Sequence, residues 1–406
     1  MTEPLGGPRR QRWLVATTEY AGLTNYTGGI GRHYAALLPA LVRAGVDVDL
    51  VVCADGGLST DVDLGGVRLV ATAETLGRSS RVRTMIRNAR VVRRAYRRRR
   101  YDRVLLPEWS ALGSALPRSA PLVTNLATSL RLSNRISGFT LRDFPAADRF
   151  AVVVQDALET RQITRSAALV AISTAMLART HDLVGDLPPF VVVRNCIDVA
   201  AVRIAATTSA LPERWPSGSA PTVLFLGRLE RRKGVVEAVS AYARLVQDAP
   251  DARLVLAGAS GDGRFEPQVA ALLDLVPASA RGQVVWLGHV PGDELFRAVA
   301  SASVVMCPSR WEGFGNVALE VRTIGTPLVV TSGSGYDDFC TDGVDCSMVR
   351  PCDVGALAEA LREILQDPVA ARHRASVAAQ TVDRYAPDPV ARDLVAAVDG
   401  LLGRAG

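Results

Sequence analysis

The chain has 406 residues, 48% apolar and 22% charged. These proportions exclude a disordered or fibrous chain and leave room for two globular domains of about 100–200 residues each. No run of about 18 apolar residues is present to span a bilayer, and the polar, basic start (Met1–Trp13) lacks the apolar core of a secretory signal, so a cytoplasmic protein is expected.

The first half alternates short apolar runs with helical patterns. RWLVATT (Arg12–Thr18) reads as a buried strand. TGGIG (Thr27–Gly31) is a glycine turn opening a helix that continues to about Ala44. VDVDLVVC (Val46–Cys53) and VRLVA (Val67–Ala71) are the next strands. The chain's positive excess, net +6 overall, is concentrated in Arg78–Arg103, which has no acid before Asp102. Val82, Met85, Ile86, Ala89, Val92 and Tyr96 recur there at helical spacing, which predicts a basic amphipathic helix. Its outer face is either a solvated surface or a weak contact for an anionic membrane. Aromatic residues for base stacking are sparse, so no nucleic-acid partner is expected. DRVLLP (Asp102–Pro107), PLVTN (Pro121–Asn125), ALVAIS (Ala168–Ser173) and FVVVRN (Phe190–Asn195) follow as strands, with a helix near Asp156–Arg165.

A second start comes after the Pro/Ser/Gly-rich stretch Leu211–Pro221. PTVLFLG (Pro221–Gly227), RLVLAG (Arg253–Gly258), QVVWLG (Gln283–Gly288), SVVMCPS (Ser303–Ser309) and TPLVVTS (Thr326–Ser332) read as buried strands separated by helices. Strands alternating with helices imply mostly parallel, doubly wound sheets. The expected fold class is therefore α/β, with two Rossmann-like domains, residues 1–200 and residues 201–385. A helix in residues 386–406 is expected to pack back on the first domain. Ligands in such sheets bind beyond the carboxyl ends of the strands, here in a cleft between facing domains.

Three segments carry chemistry. WEGFGNVALE (Trp311–Glu320) directly follows a strand, its glycines leave the backbone bare, and a helix is predicted from about Asn316. Bare amides at a helix N-terminus suit a diphosphate, and the carboxylates of Glu312 and Glu320 suit sugar hydroxyls. In FLGRLERRKGVVEAV (Phe225–Val239), Arg228 and Lys233 flank another helix start and can neutralise a diphosphate leaving group. Arg231 and Arg232 are read as solvated. TGGIGRHY (Thr27–Tyr34) alone also fits a dinucleotide fold, and Asp55 at the end of the second strand keeps that alternative open.

Trp311–Glu320 resembles the E-x7-E signature of retaining, family 4, GT-B-fold glycosyltransferases, and Phe225–Val239 resembles the same family's G-R-x5-KG element. The resemblance covers most of the chain and is strongest from Phe225 to Asp353. It implies a metal-independent retaining transferase whose donor is a nucleotide-diphosphate sugar, with no further cofactor. By that likeness Glu312 meets the donor sugar, Gly313, Phe314, Gly315, Asn316 and Val317 offer backbone amides, and Glu320 holds the ribose. Arg228 and Lys233 grip the diphosphate, Val290 lies near the base, and Gly28 and Gly29 approach the diphosphate. Acceptor-side candidates are Glu108, Trp109, Asn125 and Thr128.

Two departures stand out. The family usually carries a histidine after the strand PLVTN, where this chain has Asn125, Ala127 and Thr128. Arg194 and Cys196 stand where proline and glycine are usual. An unusual donor such as a deoxysugar, or a weakened enzyme, would follow from the first. The expected acceptor is a small molecule of specialised metabolism such as antibiotic biosynthesis. The alternatives are a lipid acceptor reached through the arginine helix and a sugar-nucleotide-binding pseudoenzyme that needs a partner.

No metal site is expected. None of the six cysteines forms a Cys-x-x-Cys pair, and Cys340, Cys346 and Cys352 recur every six residues, which is not a zinc spacing. The cysteines read as small buried hydrophobes. The Asp-x-Asp sequences at Asp47–Asp49 and Asp61–Asp63 read as structural.

Overall fold

The computed structural model describes residues 10–25, 27–59, 62–75 and 80–403. The readings made on residues 1–9, on Asp61 and on the first two residues of the basic segment, Arg78 and Ser79, lie outside the described residues. The chain divides into two compact units, Met1–Ile197 with Tyr385–Gly406, and Asp198–Arg384.

The first unit is built on β1 (Arg12–Thr17), α1 (Gly29–Arg43), β2 (Asp47–Asp55), β3 (Arg68–Thr75), α2 (Arg81–Arg98), β4 (Arg103–Pro107), β5 (Leu122–Leu126), α3 (Leu130–Ser137), α4 (Ala146–Thr164), β6 (Ala168–Ala171), α5 (Thr174–Val184) and β7 (Phe190–Val192). The second contains α6 (Val199–Thr208), β8 (Thr222–Leu226), α7 (Val235–Leu245), β9 (Arg253–Ala257), α8 (Val269–Leu273), β10 (Val284–Gly288), α9 (Gly292–Ser301), β11 (Val304–Cys307), α10 (Asn316–Ile324), β12 (Leu328–Thr331), β13 (Ser347–Val349), α11 (Val354–Gln366) and α12 (Pro368–Gln380). The last helix, α13 (Pro387–Leu402), returns to the first unit and packs on α1.

Both sheets are parallel. The first runs β3-β2-β1-β4-β5-β6-β7 and the second β10-β9-β8-β11-β12-β13. Their central strands, such as RVLLP of β4 and TVLFL of β8, are buried throughout, as a sheet covered on both faces requires. One face of the first sheet packs Trp13, Leu50 and Val123 against Tyr34, Leu38 and Leu394 of α1 and α13. The other packs Leu14, Val51 and Leu106 against Val92 and Ala95 of α2. In the second unit Val223, Phe225, Leu254 and Val304 meet Tyr242 and Leu361. The strand order reverses between β1 and β4 in one sheet and between β8 and β11 in the other, so each carboxyl edge opens a crevice at that point.

Three local readings change. α4 begins ten residues before Asp156, because its buried stripe (Ala151, Val152, Gln155, Glu159, Gln162) mixes polar and apolar residues and hides the periodicity. Between the strand pattern Phe190–Asn195 and the Pro/Ser/Gly-rich stretch lies a further helix, α6, capped by the Asp198 side chain, which accepts from the Ala201 amide at 2.9 Å. α6 packs on α9 and α10 inside the second unit. β13 is an additional three-residue edge strand.

The Asp-x-Asp acids of β2 are bound locally. Asp47 pairs with Arg12 at 3.5 Å, and buried Asp49 accepts from Arg68 Nε at 2.8 Å and from the Tyr101 hydroxyl at 2.7 Å. Five cysteines are buried, and Cys352 is exposed in a left-handed backbone conformation. Among the described residues no group of three His, Cys, Asp or Glu comes together as a metal site. Among them no helix is long and apolar enough to cross a membrane.

Candidate functional site

At the crevice of the second sheet, β8 ends at Leu226 and Arg228 follows two residues later. Buried Glu230 holds two cations, Arg228 at 3.0 Å and Arg232 at 2.7 Å. Arg231 is exposed as expected, but Arg232 is half-buried and turned inward, which corrects its reading as solvated. The chain then makes one tight turn (Arg231–Lys233) and passes through Gly234 at φ +74° into α7. A Cβ on Gly234 would lie 1.9 Å from the Pro308 carbonyl oxygen, so only glycine lets this turn press against the exit of β11.

That close approach delivers Lys233 to Glu312. The Lys233 ammonium donates to Glu312 Oε2 and the two form an ion pair, each side chain 19% exposed. Ser309 Oγ donates to the same oxygen at 3.4 Å. Burial pushes the Glu312 carboxyl up, but Lys233 and then Arg232 outweigh it and hold the carboxyl below its ordinary range. Glu312 is therefore an anion at neutral pH.

The loop after Glu312 is bare backbone packed under a second loop. Gly315 sits at φ +106° as the N-cap of α10, and a Cβ there would lie 2.3 Å from Cε1 of Tyr336. Across from it, a Cβ on Gly335 would lie 2.3 Å from the Gly313 carbonyl oxygen, and the Gly335 amide donates to the Glu312 carbonyl at 2.8 Å. Phe314 packs on Phe339 with ring centroids 5.0 Å apart, and the Tyr336 hydroxyl donates to Ser309 Oγ at 3.4 Å. Gly313 to Asn316 are buried, Val317 is half-buried, and no acid lies in the first turn of α10. The positive end of that helix thus carries no compensating acid in its own first turn. Glu320 follows one turn on, buried. The thiol of Cys307, at the end of β11, is raised chiefly by burial, with Lys233 opposing the rise and Glu312 and Glu320 adding to it. Val290, buried, lies just beyond β10 on the same edge.

In the first unit the acceptor-side candidates gather at the ends of β4 and β5. Glu108 is buried, and its Oε2 accepts from the Ala127 amide at 2.8 Å. Burial pushes its carboxyl up to about 8, and neighbouring Glu159 adds to the rise. Glu159, also buried, accepts from the amides of Ser110 (2.9 Å) and Leu130 (2.7 Å) and from Gln155, and is raised by burial to about 7. Between these acids Ser110 and Ala111 adopt positive φ (65° and 47°), a conformation that costs non-glycine residues about 1–3 kcal/mol and is held here by the Glu159 contact. Trp109 and Thr128 are half-buried. Asn125 is committed to the fold, since its Oδ1 accepts from the Tyr34 hydroxyl at 3.3 Å and its Nδ2 donates to the Val170 carbonyl at 3.1 Å.

Gly28 caps α1, and its amide donates to Glu19 Oε2 at 2.7 Å. A diphosphate at that amide would have to displace the carboxylate. A cavity of about 10 Å³ bordered by His33, Tyr34 and Asn125 has room for one water and none for a sugar. His33 is lowered to about 4 by burial and accepts from the Cys196 amide at 3.1 Å, so it is a neutral structural residue.

The sequence patterns passed over Glu19, Glu159 and Tyr336. Glu159 had a signal: Gln155, Glu159 and Gln162 recur on one helical face, a polar stripe that packs inward. Glu19 and Tyr336 had none, because each acts on a glycine turn far from any motif it completes.

The family model described as "Glycosyl transferases group 1" matches residues 211–382, and "Glycosyltransferase Family 4" matches residues 27–201. Glycogen synthase of Mycobacterium tuberculosis (strain ATCC 25618 / H37Rv) is 30% identical over 395 residues, covering 91% of this chain and 89% of that protein. Alpha-D-kanosaminyltransferase of Streptomyces kanamyceticus is 31% identical over 199 residues, 49% of this chain and 48% of that protein. Sucrose-phosphate synthase from Thermosynechococcus elongatus shares the fold at a TM-score of 0.78 and 20% identity, with 98% of this chain and 100% of that one aligned. Two Rossmann-like units, matches to both family models and a relative aligned over nearly the whole length lead to one conclusion: the chain belongs to the group 1 (family 4) glycosyltransferases of GT-B fold.

Proposed function

We propose that the protein transfers a sugar, with retention and without a metal, from a nucleotide-diphosphate sugar to a hydroxyl of a small-molecule acceptor in specialised metabolism. One observation carries this reading: the Lys233–Glu312 pair at the crevice between β8 and β11, beside the N-terminus of α10. A lysine ammonium has three donors. One goes to Glu312, and the others are available to a phosphate oxygen. Lys233, Arg228 and Arg232 supply the positive charge that a leaving diphosphate requires, and the α10 amides add theirs. Glu312, held anionic by Lys233 and Arg232, accepts from donor-sugar hydroxyls. Glu320 accepts from the ribose.

Retention follows when the acceptor hydroxyl attacks the anomeric carbon on the face the diphosphate leaves. The C–O bond to phosphate breaks, the C–O bond to the acceptor forms, and the hydroxyl proton passes to a diphosphate oxygen. The likeness to a kanosaminyltransferase over half the chain supports an aminated or deoxygenated donor. A second reading, extension of an α-glucan end, is favoured by the near-full-length likeness to glycogen synthase.

The test is incubation with a panel of nucleotide-sugars against small acceptors and oligoglucans, with and without EDTA, products being read by NMR at the anomeric proton. An α-product from an α-donor, unchanged by EDTA, supports the proposal. Elongated oligoglucan would move it to the second reading. An inverted product, or no transfer with folded protein, would overturn it.

A further inference from the structure

We propose that the outer face of α2, with the exposed start of α4, is a docking surface for an anionic lipid bilayer. The surface is independent of the donor site. Eight of the 18 residues of α2 are arginine and none is acidic. Met85, Asn88, Ala89, Val92 and Ala95 face the sheet. Arg87 turns inward onto the Glu74 carbonyl and Thr75. The others, among them Arg83, Arg90, Arg94 and Arg97, are exposed along the opposite face.

α2 packs beside α4. Each is followed by a strand of the same parallel sheet, β4 and β6, so both helices begin at the carboxyl edge. At that end the surface is apolar as well as cationic. Phe150 is 70% exposed and Val153 51%, both early in α4, while Ile86 of α2 and Leu141 just before α4 are each 43% exposed. The acids at this end are largely engaged, Asp143 by Thr140 and Asp156 by Arg131, and Asp148 is exposed.

Exposed apolar side chains are ordinary when scattered singly. Four at one end of a helix pair, beside a helix with eight arginines and no acid of its own, match an interface that is anionic outside and hydrocarbon beneath. A soluble polyanion would use the arginines and leave Phe150 without a role. The bilayer is the partner that uses both.

The experiment is co-sedimentation of the full chain with phosphatidylcholine vesicles containing or lacking phosphatidylglycerol, at about 0.01 M and about 1 M salt, where screening lengths are about 30 Å and 3 Å. The expected result is binding to the anionic vesicles at low salt only. Replacing Arg90, Arg94 and Arg97 together by Gln should lower partitioning about a hundredfold, at about fivefold per arginine. Phe150→Ser should lower it about tenfold. Thermal melting should stay at the parent value in both variants, because every changed side chain is exposed. Equal binding to neutral vesicles, no binding to either, or indifference to the triple change would overturn the proposal. Phe150→Ser without effect, while inorganic polyphosphate competes, would assign the face to a soluble polyanion and also overturn it.

Discussion

The two switch-point crevices have the same topology and different charged groups. Between β1 and β4 the nearby loops are held by acids: half-buried Glu19 on the Gly28 amide, and buried Glu108 and Glu159 on the loops after β4 and β5. Between β8 and β11 three cations gather, with Arg228 and Arg232 on Glu230 and Lys233 on Glu312. Each unit has a glycine turn at a helix N-terminus. In the first an internal carboxylate already sits on it, while in the second no acid lies in the first turn of α10. A parallel sheet therefore offers a place for a ligand at each reversal, and side-chain charge decides which place suits a diphosphate.

The largest expected effect breaks the cationic side. Lys233→Met should lower kcat about 10²–10³-fold, the size of losing one preorganised donor to a developing anion. The double variant Lys233→Met/Glu312→Gln should fall little further, because the two side chains act as a unit. Steady-state kinetics with the preferred donor decides it, and a Lys233→Met enzyme at parental turnover would remove the contrast between the crevices.

Next in size is a purely steric change. Gly234→Ala puts a methyl on the Pro308 carbonyl at a left-handed φ, and should destabilise the second unit by about 3 kcal/mol. Urea unfolding followed by a probe in that unit reads it. A stable Gly234→Ala variant would mean that Lys233 is not placed by this contact.

The third prediction tests the acidic side through pH. The folded-state value of Glu108, raised to about 8, lies above the ordinary carboxylate value of 4.5. Between these values the folded protein binds more protons than the unfolded chain, so stability is fully present below about pH 4.5 and is lost as pH rises through about 8. Glu108→Gln should flatten that loss by about 1–2 kcal/mol, which is less than the full linkage energy because Glu108 titrates together with Glu159. Thermal unfolding of parent and variant from about pH 5 to about pH 9 checks this. A parental slope that survives in Glu108→Gln would assign it to Glu159 instead.

The smallest effect sharpens the donor side. Tyr336→Phe removes a long hydrogen bond to Ser309 and keeps the ring against Gly315. It should cost a few-fold in kcat/KM, as expected for about 0.5–1 kcal/mol of a neutral hydrogen bond. Tyr336→Ala, which also removes the ring, should cost much more. Equal losses in the two variants would show that the hydroxyl rather than the packing positions the loop.

Much of this molecule was legible without coordinates. Twelve of its strand patterns were plain because a parallel sheet covered on both faces demands unbroken apolar runs such as VLFL and VVMC. The glycines of Trp311–Glu320 were readable because a helix start facing a ligand has few solutions. The start of α4 was not, since its inward stripe carries Gln155, Glu159 and Gln162, which look solvated until the loop amides they serve are in place.

The sequence by itself determined the two α/β halves, the anion-ready turn before α10 and the pairing of a basic motif with an acidic one. Periodicity and turn chemistry are local, and a few consecutive residues state them. Only the tertiary structure decided that Lys233 pairs with Glu312, that Arg232 turns inward, that Asn125 belongs to the fold, and that Glu19 sits on the Gly28 amide. Each of these depends on two segments distant in sequence meeting within a few ångströms. Burial and charge at such a meeting point are properties of the contact, which neither segment carries alone.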